Sequence, residues 1–85
     1  MVDLAALETR LLQILTQDMN LSVPGLDADL VDEGLLDSLT FVELLFRLEK
    51  EFALKVAVET LDLAQFRTVR AIASFVHRQR RAQSA

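Results

Sequence analysis

Asp37 and Ser38 are the residues of this sequence whose types and spacing could support chemistry, because they stand directly before an apolar, helix-like stretch. Both are good helix N-cap residues, since a short side-chain oxygen can accept a hydrogen bond from a free N–H of the first turn. Gly34 permits the backbone turn that leads into this helix. We therefore expect Ser38 at a positive helix end, where a phosphate ester would be stabilised. On spacing alone, the alternative is that Ser38 is an ordinary N-cap.

The run from Gly34 to Leu39, Gly-Leu-Leu-Asp-Ser-Leu, resembles acyl and peptidyl carrier proteins, together with the segments 42–45 and 48–52 that follow it. In that family the serine of an Asp-Ser-Leu motif receives 4′-phosphopantetheine from coenzyme A. The thiol of this arm then carries an acyl or aminoacyl group as a thioester. The resemblance implies that Ser38 is the attachment site. For Asp37, which can also cap the helix, the resemblance implies a second role: it helps the transferase and its magnesium ion to act on the adjacent serine.

The residues that precede the serine resemble those of a subgroup of this family. Fatty-acid carriers usually have glycine three residues before the serine, where this chain has Leu35. The run Glu-Gly-Leu-Leu-Asp-Ser is more similar to D-alanyl carrier proteins and to free-standing carriers of nonribosomal peptide and polyketide pathways. The resemblance then implies three kinds of partner: a phosphopantetheinyl transferase, an adenylating or loading enzyme or acyltransferase, and a downstream condensing or transfer enzyme. It leaves the cargo open.

Length and composition predict one small domain over residues 1–85, ordered from about residue 3 to 80, with a disordered tail at 82–85. The absence of cysteine excludes a disulfide framework, a thiol nucleophile and a cysteine metal site. No apolar run approaches the roughly 18 residues of a membrane span. The N-terminus lacks the basic start of a signal peptide, so we expect a cytoplasmic protein. We also expect a monomer.

The charge is concentrated in the middle of the chain. Between Asp27 and Asp62 there are ten acidic and three basic residues, whereas the rest of the chain holds three acidic and six basic residues. This acidic middle argues against nucleic-acid binding and favours a partner with a basic patch. The alternative is a solvated acidic surface without a partner.

Hydrophobic periodicity predicts an all-α fold. The first helix begins after a possible cap at Asp3 and fades near 18–20, and a long connection at 21–36 is pinned by its own apolar side chains. A second helix is predicted from Ser38 to about Phe52. An extended connector at 53–59 leads to a short helical turn capped by Thr60 or Asp62. The last helix follows an N-cap at Thr68 and buries Val69, Ile72, Ala73 and Val76, with Phe75 beside them. The family resemblance implies a four-helix bundle of the acyl carrier protein type, with a long first loop and a short third helix.

The second helix carries two apolar faces. At about 100° per residue, the broad core face holds Phe41, Leu44, Leu45, Leu48 and Phe52. A narrower face beside Ser38, which we call the apolar strip, consists of Leu39, Val42 and Phe46. The acids Glu43 and Glu49 lie along its edges, and we expect both to be exposed. We predict that the apolar strip docks partner enzymes. The alternative is that the long loop or a later helix covers it.

The sequence contains no convergent set of catalytic groups, so we expect a carrier and not an enzyme. His77 has no serine or acid partner at a meaningful spacing, and the acids at 27–33 lack the pattern of a calcium loop. No metal site is predicted. The other serines, Ser22, Ser74 and Ser84, lack the motif. The basic end of the last helix is explained by the helix dipole better than by a membrane or nucleic acid. The competing function is an unmodified helical interaction module.

Overall fold

The computed structural model describes residues 4–56 and 63–83, and within these ranges it is helical without a β-strand. The all-α class predicted from the sequence is therefore confirmed. The helices are α1 (Leu4–Gln13), α2 (Ser38–Phe52) and α3 (Val69–Gln83). A π-helical turn, Ile14–Asp18, extends α1, and a 3-10 helix, Leu63–Phe66, precedes α3. No helix in the described part of the chain is both long and apolar enough to cross a bilayer.

The first helical stretch ends where the sequence predicts. The Met19 N–H donates to the Ile14 carbonyl over 2.9 Å, which closes the π-helical turn. Asn20 then takes the left-handed conformation with φ of 60°, which asparagine tolerates better than most residues. The predicted cap at Asp3 lies outside the described residues.

The core is aliphatic with a cluster of phenylalanine rings at its centre, and α1 packs chiefly against α3. Phe66 is fully buried, and its ring meets Phe41 edge-on at 5.1 Å and Phe75 at 4.9 Å between centroids. Edge-to-face packing of this kind adds to the stability that burial alone provides. Phe75 thus belongs to the core itself. The buried faces predicted for α2 and α3 are confirmed, although Phe41 and Phe52 are only partly buried.

The long connection between α1 and α2 is held to the helices by apolar side chains, as the sequence predicts. Leu30 and Leu36 are buried, and five other residues of the connection pack partly against the core: Leu21, Val23, Leu26, Val31 and Leu35. A turn follows Leu30 and contains Gly34 with φ of +73°. Glycine adopts this left-handed conformation without the steric cost that a Cβ atom would add.

The ends of α2 and α3 have clear local causes. Ala53 takes the left-handed conformation, with φ of 55°, and donates its N–H to the Glu49 carbonyl, which stops α2. The Thr68 hydroxyl accepts from the Ala71 N–H over 3.0 Å, so the predicted N-cap of α3 is confirmed. The helix α3 continues to Gln83, into the segment 82–85 that the sequence assigns to a tail, and 84–85 lie outside the described residues.

The segment between α2 and α3 is described in part. The 3-10 helix Leu63–Phe66 is the described portion of the predicted short helical turn. Its predicted caps, Thr60 and Asp62, lie outside the described residues, as do positions 57–59 of the predicted extended connector at 53–59.

Candidate functional site

Asp37 is the N-cap of α2. Its backbone is extended, with φ of −111° and ψ of −173°, and its Oδ1 accepts from the Thr40 N–H over 2.8 Å. Hydrogen bonds donated by the Thr40 N–H and then by the Thr40 hydroxyl lower the pKa of Asp37. The carboxylate is therefore held in its ionised form at a positive helix end.

Ser38 is the first residue inside α2, so the alternative that Ser38 is the N-cap is wrong. Both side chains are suited to capping, but the extended backbone at Asp37 places its carboxylate within reach of the N–H groups of the first turn. Ser38 is exposed, and its hydroxyl takes no part in the capping hydrogen bond. An exposed hydroxyl at this helix end fits a phosphodiester link, because the helix dipole stabilises the phosphate charge.

The apolar strip is exposed beside Ser38. The exposed fractions are 83% for Leu39, 45% for Val42 and 68% for Phe46. The alternative that the long loop or a later helix covers this strip is therefore wrong. A shallow depression on the same surface is lined by Val42, Leu45, Phe46 and Glu49.

The two acids at the edges of the apolar strip differ in the structure. Glu43 is exposed, and no ion pair within 4–56 and 63–83 involves it. Glu49 is half-buried, and its Oε2 accepts from the Val56 N–H over 3.0 Å. The expectation that both acids are exposed is wrong for Glu49, whose carboxylate holds the chain that leaves α2.

Arginines pair with four acids of the acidic middle, Asp27, Asp29, Asp32 and Glu51. Arg70 holds Asp27 through two nitrogens at 2.8 and 3.2 Å. Arg67 contacts Asp29 and Asp32, and Arg10 holds Glu51 at 2.9 and 3.0 Å. The excess of basic residues outside the acidic middle indicates that such ion pairs could form, but it does not identify which residues pair.

Where the structure describes them, the other serines and His77 lie outside α2. Ser22 is exposed in the long connection, Ser74 is half-buried within α3, and Ser84 lies outside the described residues. His77 is half-buried in α3. In the described part of the chain, no group of three or more histidine, cysteine, aspartate or glutamate residues could hold a metal ion.

Comparison with known proteins agrees with this geometry. The family described as "Phosphopantetheine attachment site" matches residues 9–76, a range that includes all of α2. A D-alanyl carrier protein from Abiotrophia defectiva is 41% identical over 54 residues, which cover 64% of this chain and 68% of that protein. No solved structure matches the chain. The match to the family spans well over half of the sequence, which confirms the carrier resemblance. The chain belongs to the phosphopantetheine-binding carrier family, whose prosthetic group is a covalently bound 4′-phosphopantetheine arm.

Proposed function

We propose that this protein is a discrete carrier that holds an acyl or aminoacyl group as a thioester on a phosphopantetheine arm at Ser38. The observation that carries this proposal is that two adjacent residues at the start of α2 have different roles. Asp37 supplies the helix cap, which leaves the Ser38 hydroxyl exposed for modification. The matched family range, 9–76, includes this position.

Attachment is a phosphoryl transfer to Ser38. The Ser38 Oγ forms a bond to the coenzyme A phosphorus that bears pantetheine, and the bond from that phosphorus to the bridging oxygen breaks. Adenosine 3′,5′-bisphosphate leaves with the electron pair, and the hydroxyl proton passes to a base of the transferase. Asp37, whose pKa is lowered by the N–H of Thr40, is ionised beside the serine and can assist the transferase-bound magnesium ion.

The carrier itself contributes presentation and recognition. When bound, the arm supplies the thiol that holds the cargo, and the chemistry belongs to partner enzymes. Ser38 holds the arm, while the apolar strip of Leu39, Val42 and Phe46 docks those enzymes, with Glu43 at its rim. Glu49 also belongs to the proposed docking surface, because it lines the shallow depression together with Phe46. Exposed aromatic and aliphatic side chains next to one another are typical of interaction sites.

The partners we propose are a phosphopantetheinyl transferase, an adenylating or loading enzyme or acyltransferase, and a condensing or transfer enzyme. We place the protein in a D-alanylation-like, nonribosomal peptide or polyketide pathway. Its similarity to a D-alanyl carrier protein favours an aminoacyl cargo. Weak docking, steered by charge, suits a shuttle that must leave each partner quickly.

We extend the proposal to the architecture. The three α-helices and the 3-10 helix Leu63–Phe66 support a four-helix bundle of the acyl carrier protein type, with a long first loop and a short third helix at the 3-10 segment. We further propose that residues 1–85 form a single domain that acts as a monomer in the cytoplasm.

Intact mass spectrometry tests the attachment. Co-expression with a promiscuous phosphopantetheinyl transferase should add the mass of one arm to the wild-type protein and none to Ser38→Ala. Ser22→Ala, an exposed serine without the motif, is the matched control and should be modified like the wild type. An unmodified wild-type protein would favour the competing function, a helical interaction module. Retention of the added mass by Ser38→Ala would overturn the assignment of Ser38.

A further inference from the structure

Arg67, just before α3, is bound to the turn that leads toward Ser38. Its Nε donates to Asp29 Oδ2 over 2.9 Å, and its Nη2 lies 2.7 Å from the same oxygen and 3.2 Å from Asp32 Oδ1. The Arg67 carbonyl also accepts from the Leu30 N–H over 2.6 Å. Side chain and backbone of one residue therefore fix the same stretch of the long connection.

The Asp29 carboxylate serves the turn and Arg67 at once. Its Oδ1 accepts from the N–H groups of Val31 and Asp32, each over 3.0 Å, while its Oδ2 accepts from Arg67. A carboxylate whose two oxygens are both engaged by donors has little freedom to rotate. The turn and α3 are thereby held in one relative position.

The turn is connected to Ser38 by a short, hydrogen-bonded path. The Leu30 carbonyl accepts from the N–H groups of both Leu35 and Leu36, at 2.9 and 3.0 Å. Leu36 is buried, and the next residue is the N-cap Asp37. Only Asp37 separates Leu36 from Ser38, so the placement of the turn limits where Ser38 can lie.

We infer that Arg67 is a positioning residue for attachment of the arm: through Asp29 it fixes the turn that presents Ser38. This inference rests on the proposed function, in which Ser38 accepts phosphopantetheine. The transferase must bring the Ser38 Oγ in line with the scissile P–O bond, and such reactions are sensitive to small displacements of the attacking atom. The apolar strip lies on α2, outside this network, so docking should not depend on Arg67.

Arg70 offers a matched control. It has a comparably exposed side chain, and it also joins α3 to the long connection, through Asp27 and Glu8. Its backbone N–H donates to the Leu26 carbonyl, four residues before Leu30, and its side-chain partners lie outside the turn. A general loss of ion pairs would therefore affect Arg67→Ala and Arg70→Ala alike, whereas loss of positioning would affect only the first.

The test measures steady-state arm transfer by a phosphopantetheinyl transferase, with coenzyme A saturating and the apo-carrier varied. For Arg67→Ala we expect kcat to fall about tenfold, less than the ~100-fold that a 1 Å misplacement can produce, with KM unchanged. Arg67→Lys should recover part of kcat, because one ammonium can contact Asp29 but cannot reproduce the guanidinium's geometry. Arg70→Ala should keep the wild-type constants. Equal kcat values for Arg67→Ala and the wild type, or equal losses for both alanine variants, would overturn the inference.

Amide hydrogen exchange in the apo-protein gives an independent readout. Arg67→Ala should speed exchange at the Leu35 and Leu36 N–H groups, whereas Arg70→Ala should leave it unchanged. Unchanged exchange at these amides in Arg67→Ala would also overturn the inference. If the wild type is not modified at Ser38, the proposed function fails, and exchange alone decides whether Arg67 fixes the turn.

Discussion

The Asp37 carboxylate accepts a hydrogen bond from the Thr40 N–H over 2.8 Å, whereas the neighbouring Ser38 is exposed and takes no part in this cap. Two adjacent residues with nearly equal capping preference thus have separate functions. The structural role falls to the residue outside the helix, and the modifiable hydroxyl lies on the first residue inside it. Substitution of Ser38 should therefore affect arm attachment and leave stability nearly unchanged, whereas substitution of Asp37 should lower stability.

Ser38→Ala should leave the fold nearly unchanged, within about 0.5 kcal/mol as for other surface substitutions, and should abolish arm attachment. Asp37→Ala should lower the melting temperature, because it removes the acceptor for the Thr40 N–H. Thermal melts of both variants beside the wild type test this contrast. A larger loss for Ser38→Ala than for Asp37→Ala would show that the cap is assigned to the wrong residue.

The carboxylates of Asp27 and Asp29 should make stability depend on pH. The Asp32 N–H, followed by Arg67, lowers the pKa of Asp29, and Arg70 lowers the pKa of Asp27. A carboxyl group with a lower pKa in the folded state stabilises the fold above its unfolded pKa, and this stabilisation is lost as pH falls through the folded pKa. The melting temperature should thus decrease below about pH 5.

Substitution identifies the carboxylates responsible for that pH dependence. Asp29→Asn should flatten the acidic limb of the melting curve against pH, and Asp27→Asn should do the same. Ser38→Ala, which changes no carboxylate, is the control and should follow the wild type. An unchanged slope in both asparagine variants would rule out these ion pairs as its source.

Helix positions could be predicted from the sequence because each depends on local signals. Apolar periodicity located the core face of α2, and Thr68 marked the start of α3 through its own hydroxyl. The contacts of Arg67 with Asp29 could not be predicted in this way. The two residues are 38 positions apart, and a charge carries no periodic signal that identifies its partner. Glu49 was misjudged for a related reason: its partner is the backbone N–H of Val56, and every residue type but proline offers such a donor.

Ala53→Gly should stabilise the protein. Ala53 is held in the left-handed conformation with φ of 55° where α2 ends. Glycine pays no Cβ penalty there, although it loses more backbone entropy on folding. We expect a net gain of up to about 1 kcal/mol in the free energy of unfolding, measured by denaturant titration. Ala73→Gly, inside α3, is the control and should destabilise. A loss of stability in Ala53→Gly would contradict the left-handed C-cap.

The two acids at the apolar strip should affect different measurements. Glu43→Gln should slow association with a loading enzyme and reduce its salt dependence, because exposed charges mainly set the on-rate. Its melting temperature should not change. Glu49→Ala should instead cost about 1 kcal/mol of stability, since the Val56 N–H loses its acceptor. Stopped-flow binding at low and high ionic strength, beside thermal melts, separates the two effects. Binding that is insensitive to salt in the wild type would count against charge steering.

Phe46 and Phe52 provide the sharpest test of the docking surface, because the same ring occupies two different environments on α2. Phe46 is 68% exposed. Phe52 is partly buried against the core, and the Arg80 guanidinium carbon lies 5.8 Å from its ring centroid. Phe52→Ala should therefore cost about 1–3 kcal/mol, less than the 3–5 kcal/mol of a fully buried phenylalanine. Phe66→Ala, which removes a fully buried ring, should reach that larger range.

Phe46→Ala should leave stability within about 1 kcal/mol while impairing loading by a partner enzyme. An exposed aromatic side chain near the centre of an interface often supplies much of its binding energy, and Phe46 has no comparable role in the core. Thermal melts and a loading assay on the three variants distinguish the two kinds of loss. Phe52→Ala should retain loading at temperatures where it stays folded, and Phe46→Ala should lose it there. Equal stability losses for Phe46→Ala and Phe52→Ala, or normal loading of Phe46→Ala, would remove Phe46 from the docking surface.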